Sequence, residues 1–241
     1  MKLILRLDVD IPFGNHTLFR KIFSKIFEIT DFHFINYYYL DHVRQIISIL
    51  NSHNIKAIFY FRNCTYPDSK TKEMILDNGH AIGFHCENTK SFLTFQEELN
   101  HFLKKINLNI TDLHSVSKHG SGRLKLGKYH YPPYEPDKYI DWCQKLKIKF
   151  LFGNGIIDND TQLNNSLTEF QNDCYWTEPW FRSHSVKHIS DIFVNGDAPI
   201  LPLIAHPENL IRDPEVMSSL IDCIHYAKLN NYEWIDPGKL I

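Results

Sequence analysis

Four short stretches of the sequence carry side chains suited to hydrolytic chemistry. In "RLDVD" (6–10), Asp8 and Asp10 flank a single valine at the end of an apolar run. Such a pair can be a solvated turn or helix cap, a metal ligand beside a general base, or the metal-nucleotide site of a glycosyltransferase. A turn at the strand end is expected to be needed before both carboxylates enter one mouth.

In "GHAIGFHCENT" (79–89), His80 opens an apolar run and His85 closes it. His80 is expected to be structural. A neutral imidazole at the position of His85 can bind a divalent cation of the zinc type. A lone histidine is commonly a satisfied polar residue, but two aspartates at an equivalent strand end shift the reading of His85 toward a ligand.

The third stretch, "SKHGSGRLKLGKYHYPPYEP" (117–136), combines three glycines with Lys118, Arg123, Lys125 and Lys128. Those cations are either solvated or a cradle for anionic groups such as the diphosphate of a nucleotide-linked sugar. Two adjacent prolines fix φ and remove amide donors, so they present Tyr131 and Tyr134 in a defined place. In the fourth stretch, "LPLIAHPENL" (201–210), His206 follows a buried run and could protonate a leaving amine as a general acid. The aromatic residues Trp176, Trp180 and Phe181 of "YWTEPWF" pack in a core or stack on a sugar face.

These residues need elements to position them. Apolar runs at 2–8, 56–62, 80–85, 111–117, 149–153, 200–205 and 232–235 read as inner strands. Between them, Leu40, Val43, Ile47 and Leu50 keep helical spacing, as do Phe92, Phe95, Leu99, Phe102 and Ile106, and Val216, Leu220, Ile224 and Ala227. Helices interposed between apolar strands imply parallel crossovers, and about seven such units predict a closed or nearly closed α/β barrel. Chemistry in such a barrel collects at the C-terminal ends of the strands. Asp8 and Asp10 close the first run, His85 the third, and His119 and His206 follow the fourth and sixth. The stretch 156–196 reads as loop.

The 241 residues, 43% of them hydrophobic, are read as one domain over 1–241. A net charge of -2 from scattered residues excludes a nucleic-acid or anionic-membrane footprint. Five widely spaced cysteines without Cys-x-x-Cys point to reduced thiols, and so to the cytoplasm. Asp8 and Asp10 interrupt the first apolar run, which is therefore expected to be a strand rather than a signal peptide. No run approaches the ~20 apolar residues of a membrane span.

Taken in order, the motifs resemble the polysaccharide deacetylase (NodB-homology) superfamily over roughly residues 2–206. "LDVD" stands at the family's first motif, in its Asp-x-Asp form. "NIKAIFYF" is similar to "KATFF", "GHAIGFH" to "GHEIGxH", "YPPYE" to "RPPYG", and "IAHPENL" occupies the closing Leu-x-His motif. The resemblance implies a metal-dependent hydrolase with a distorted (β/α) barrel. It also implies that Asp8 is the general base, Asp10 a metal ligand, His85 the first histidine ligand and His206 the terminal catalytic histidine.

Two positions depart from the family. Thr89 stands where a second histidine ligand is expected. His119 is the favoured substitute, ahead of Glu87, Asn88 and His130, which gives an Asp10, His85, His119 site. Tyr131 replaces the arginine that orients the base, so Arg123 or Lys118 is expected to supply that charge.

The implied reaction removes an N-acetyl or related acyl group from an amino sugar, with a divalent metal such as zinc and a backbone N–H near Tyr131 holding the oxyanion. The expected substrate is a nucleotide- or lipid-linked precursor of surface polysaccharide, contacted by Lys118, Arg123, Lys128, Tyr134 and Trp180. The rivals are a glycosyltransferase using "DVD" and a degenerate barrel that binds a glycan without turnover.

Overall fold

The apolar run that begins at Lys2 forms the central strand of the sheet. The computed structural model describes residues 2–10, 18–19, 22–23, 26, 38–119, 136–148, 150–152, 174–182, 188–193 and 200–240. Its strands are β1 (Lys2–Val9), β2 (Ala57–Phe61), β3 (Ala81–Cys86), β4 (Ser115–Lys118), β5 (Phe150–Phe152), β6 (Tyr175–Trp176), β7 (Ile200–Ala205) and β8 (Glu233–Trp234). They pair in the order β5-β4-β3-β2-β1-β7-β6, every pairing parallel. β8 joins β1 at Lys2 and Leu3, before β2 begins its pairing at Leu5. The seven strands of this path curl into a half-barrel with helices, a distorted (β/α) barrel.

The helices are α1 (Tyr38–Ser52), α2 (Ser69–Asp77), α3 (Phe92–Ile106), α4 (Pro136–Lys145), α5 (Ile189–Phe193), α6 (Pro207–Arg212) and α7 (Pro214–Leu229). The stripes expected from the sequence are their buried faces: Leu40, Val43, Ile47 and Leu50 on α1, and Val216, Leu220, Ile224 and Ala227 on α7. On α3, Phe95, Leu99, Phe102, Leu103 and Ile106 are buried. Five such side chains are worth on the order of 10 kcal/mol of transfer free energy. Its capping box, in which the Ser91 Oγ accepts from Thr94 N at 3.2 Å, contributes about 1 kcal/mol. Packing on the sheet therefore holds the helix, and the cap sets where it starts.

Side chains alternate along β1. Leu3, Leu5, Leu7 and Val9 enter the main core with the helices. Ile4 joins Ile58, Tyr60, Phe152 and Ile235 in a smaller cluster that floors the inside of the barrel. Gly83 has a steric task here. A Cβ on it would lie 2.3 Å from Cε1 and 2.5 Å from Cδ1 of Tyr60, so only glycine admits that ring.

The boundaries differ from expectation in two places. The run 111–117 does not start as a strand, because Ile110–Asp112 forms a 3-10 turn and pairing begins at Ser115. Conversely, the stretch expected to be loop contains β6, a two-residue strand too short to show periodicity. No helix among the described residues is long and apolar enough to cross a membrane.

Candidate metal centre and catalytic site

The site begins with the period of a strand. Arg6, Asp8 and Asp10 are two residues apart, so all three fall on the inner face and no turn is needed to bring the aspartates together, contrary to expectation. Arg6 is fully buried and Asp8 is 2% exposed. Arg6 donates from Nε to Asp8 Oδ1 at 2.7 Å and from Nη2 to Oδ2 at 2.6 Å. Its guanidinium carbon lies 5.0 Å over the Tyr60 ring. Burial works against the charge of Arg6, but Asp8 outweighs it and raises the guanidinium's pKa.

Asp10 follows the end of β1 and meets two histidines from neighbouring strand ends. His85 Nε2 lies 3.3 Å from Asp10 Oδ1, and His119 Nδ1 lies 3.4 Å from the same oxygen. The ligand atoms of these three residues all fall within 4.8 Å of one another. His85 Nδ1 is engaged by Ser117 Oγ at 2.6 Å, which leaves Nε2 for the shared space. Ser117 faces it because the two residues are register partners on β3 and β4. His119 is placed by its backbone, whose N–H continues the ladder to Cys86 O at 2.8 Å.

The chemistry of this cluster fits a divalent cation. Asp10 Oδ1 and His119 Nδ1 are buried atoms without a hydrogen-bond partner among the described residues, an uncommon state for polar atoms unless an ion or water satisfies them. One carboxylate and two imidazoles suit zinc, and equally nickel, cobalt or manganese. Burial is the largest influence on His85 and outweighs the attraction of Asp8 and Asp10, so its pKa is lowered and the imidazole is kept neutral, as a ligand must be. For Asp10 burial alone would favour the neutral acid, but the facing histidines outweigh it and keep the carboxylate ionised.

His206 stands on the other side of Asp10, with Nε2 3.2 Å from Oδ2. Its Nδ1 is 2.7 Å from Glu178 Oε1, and its backbone N–H donates to the same oxygen at 2.9 Å. Glu178 is fully buried and also accepts from Asn209 Nδ2 at 3.1 Å. Burial opposes a charge on His206, but Glu178 and then Asp10 outweigh it and hold the pKa well above its ordinary value. The Trp176 ring lies nearly parallel to the His206 ring, with centroids 5.8 Å apart. Sequence reasoning missed Glu178. It lies just past β6, a strand of two residues, so no periodic pattern marks it in the sequence.

Behind the cluster, Arg62 binds the Asp10 carbonyl and donates to Glu87 Oε1 at 2.7 Å. Glu87, weighed as a substitute ligand, is therefore tied to Arg62. Glu98 accepts from the backbone N–H groups of Glu87 at 3.1 Å and of Asn88 at 2.9 Å. Burial first, and Glu87 second, push the Glu98 carboxyl up to about 8.

The structure places the other expected residues as follows. Thr89, at the position of the missing histidine, is 1% exposed and accepts from Tyr139 Oη at 3.3 Å. Lys118 was expected to reach substrate or Asp8. It is 6% exposed at the end of β4, and the alternation of that strand puts it on the face opposite Ser117. Arg6, not Lys118, meets Asp8 among the described residues. Trp180 is 56% exposed, 6.0 Å from Phe181, which in turn lies 5.8 Å from His206. His80 accepts from Ala57 N at 3.1 Å through Nδ1, in keeping with a structural role. Arg123, Lys125, Lys128, His130, Tyr131 and Tyr134 lie outside the described residues.

No family model and no curated protein matches the sequence. Solved structures do match. A CE4 family pseudoenzyme from Bacillus anthracis aligns at a TM-score of 0.54 and 12% identity, covering 96% of this chain and 62% of that one. A mutant of that pseudoenzyme with restored enzymatic activity aligns at 0.52 and 12%, covering 96% of this chain and 64% of that one. A Streptococcus mutans CE4 esterase aligns at 0.53 and 10% identity, over 96% of this chain and 84% of that one. The chain thus spans less than two thirds of the pseudoenzyme's length. At such identities the likeness is one of fold, shared with these CE4 structures.

Proposed function

We propose, from this CE4-type fold and the residues at its mouth, that the chain is a metal-dependent carbohydrate N-deacetylase. The observation that carries the reading is the convergence of Asp10, His85 and His119 on one space, with Asp8 on one side and His206 on the other. Asp10, His85 and His119 would hold the cation, for which zinc is our assignment. When bound, a divalent cation lowers the pKa of water to about 7 and polarises an acyl carbonyl.

The chain's own residues supply the proton movements. Asp8 is the base that takes the proton of the attacking water. His206 is the acid that delivers a proton to the departing amine, and Glu178 holds its ring in place and favours the charged form before transfer. A backbone N–H near Tyr131 is assigned to the oxyanion. Trp176, Trp180 and Phe181 are assigned to the sugar face. The substrate is proposed to be a nucleotide- or lipid-linked amino sugar of surface polysaccharide assembly, with Arg123, Lys128 and Tyr134 near its phosphate. Five free, buried cysteines support a reducing compartment.

Two other readings compete with this one. A glycosyltransferase would present both carboxylates of "DVD" to a metal diphosphate, whereas here Asp8 forms a forked pair with Arg6 and it is two histidines that share the space of Asp10. A degenerate barrel is favoured by the pseudoenzyme among the neighbours and by Thr89. Against it stand the His119 substitution and the intact Asp8 and His206 sides of the site.

The test is acetate release by the zinc-loaded chain from UDP-N-acetylglucosamine and N-acetylglucosamine oligomers. Turnover that falls about 10²- to 10⁴-fold in Asp8→Asn and His206→Ala supports the reading. Tight metal binding without acetate release from any probe would favour the degenerate barrel.

A further inference from the structure

We infer that Arg6 positions the catalytic base, an inference that rests on the role proposed above for Asp8. The family resemblance sends such an arginine to the position of Tyr131, on the far side of the sequence from the base. Here the base's own strand provides it. Arg6 precedes Asp8 by two residues, so the strand period turns both side chains into the barrel. The fork then reaches both carboxylate oxygens, at 2.7 Å and 2.6 Å. Two parallel N–H donors fix the plane of a carboxylate as well as its position, which one donor cannot do.

Arg6 is itself fixed. It is fully buried, with its guanidinium carbon 5.0 Å over the Tyr60 ring. The Tyr60 ring has room only because residue 83 is glycine, and its hydroxyl is bonded to Ser115. Asp8, Tyr60, Gly83 and Ser115 lie in one row of register, across β1, β2, β3 and β4. The floor of the barrel thus forms a rigid seat for the fork. An ionised carboxylate has about four acceptor sites, and the fork takes two. Two remain, and Oδ2 lies 3.6 Å from His85 Nε2.

A buried ion pair by itself is weak evidence of anything beyond packing. The experiment must separate positioning from support of the fold. Arg6→Lys keeps the charge and loses the fork, and Arg6→Gln is the second variant should the lysine protein not fold. Zinc affinity, melting temperature, steady-state acetate release from UDP-N-acetylglucosamine and a crystal structure are compared with wild type. The expected protein is folded, binds zinc like wild type, has an Asp8 carboxylate turned out of its wild-type plane, and loses about 10²-fold in kcat with KM little changed. An unmoved Asp8 with wild-type kcat overturns the inference. If wild type releases no acetate from any probe, the deacetylase reading is what fails. The position of Asp8 in the variant's crystal structure still decides the role of Arg6.

Discussion

His85 Nδ1 lies 2.6 Å from Ser117 Oγ, and this single contact aims Nε2 at Asp10. A ligating histidine is oriented by the partner of its other nitrogen, and removal of such partners typically costs 10- to 100-fold in metal affinity. Ser117→Ala is therefore expected to bind zinc about 10- to 100-fold more weakly in a calorimetric titration, with little change in fold. Unchanged affinity would mean that the ring is held in place by packing alone.

Glu178 and His206 form the corresponding pair on the side proposed for the acid. Loss of the Glu178 charge removes the main attraction that raises the His206 pKa. The direction follows: with the anion gone, imidazolium is less stable and loses its proton at lower pH. Glu178→Gln is expected to move the alkaline limb of the kcat/KM profile to lower pH and to reduce kcat. A variant with the wild-type alkaline limb would exclude Glu178 from this role.

Glu98 gives the fold a pH dependence of its own. Its carboxyl is raised to about 8 from an ordinary value of 4.5, burial being the main cause. A carboxyl with a raised folded value stabilises the fold fully below about 4.5, and this contribution disappears as pH rises through about 8. Partial exposure to solvent limits the effect to a few kcal/mol at most. Urea unfolding between pH 5 and pH 9 should show wild type losing stability relative to Glu98→Gln. Parallel curves would contradict this.

Much of this site was legible in particular residues. His85 and His206 each end an apolar run, and strand ends are where a parallel barrel collects its chemistry. His119 was found as the residue following the neighbouring strand. What the sequence hid has physical causes. Arg6 sits inside an apolar run and reads as a strand interruption until the two-residue period is applied to it and Asp8 together. Glu178 follows a two-residue strand, too short for any periodic pattern. Thr89 and Tyr139 meet through a contact 50 residues apart in sequence, and no local rule exposes it. Lys118 looked like part of a basic loop because Arg123, Lys125 and Lys128 follow it, yet it belongs to β4 and is buried.

Zinc titration of the metal-free chain, alongside His85→Ala and His119→Ala, bears most directly on the site. One ion per chain is predicted for wild type, with binding at least about 100-fold weaker in either variant. Wild-type affinity and stoichiometry in both variants would place the cation elsewhere and end the account of Asp10, His85 and His119 as its ligands.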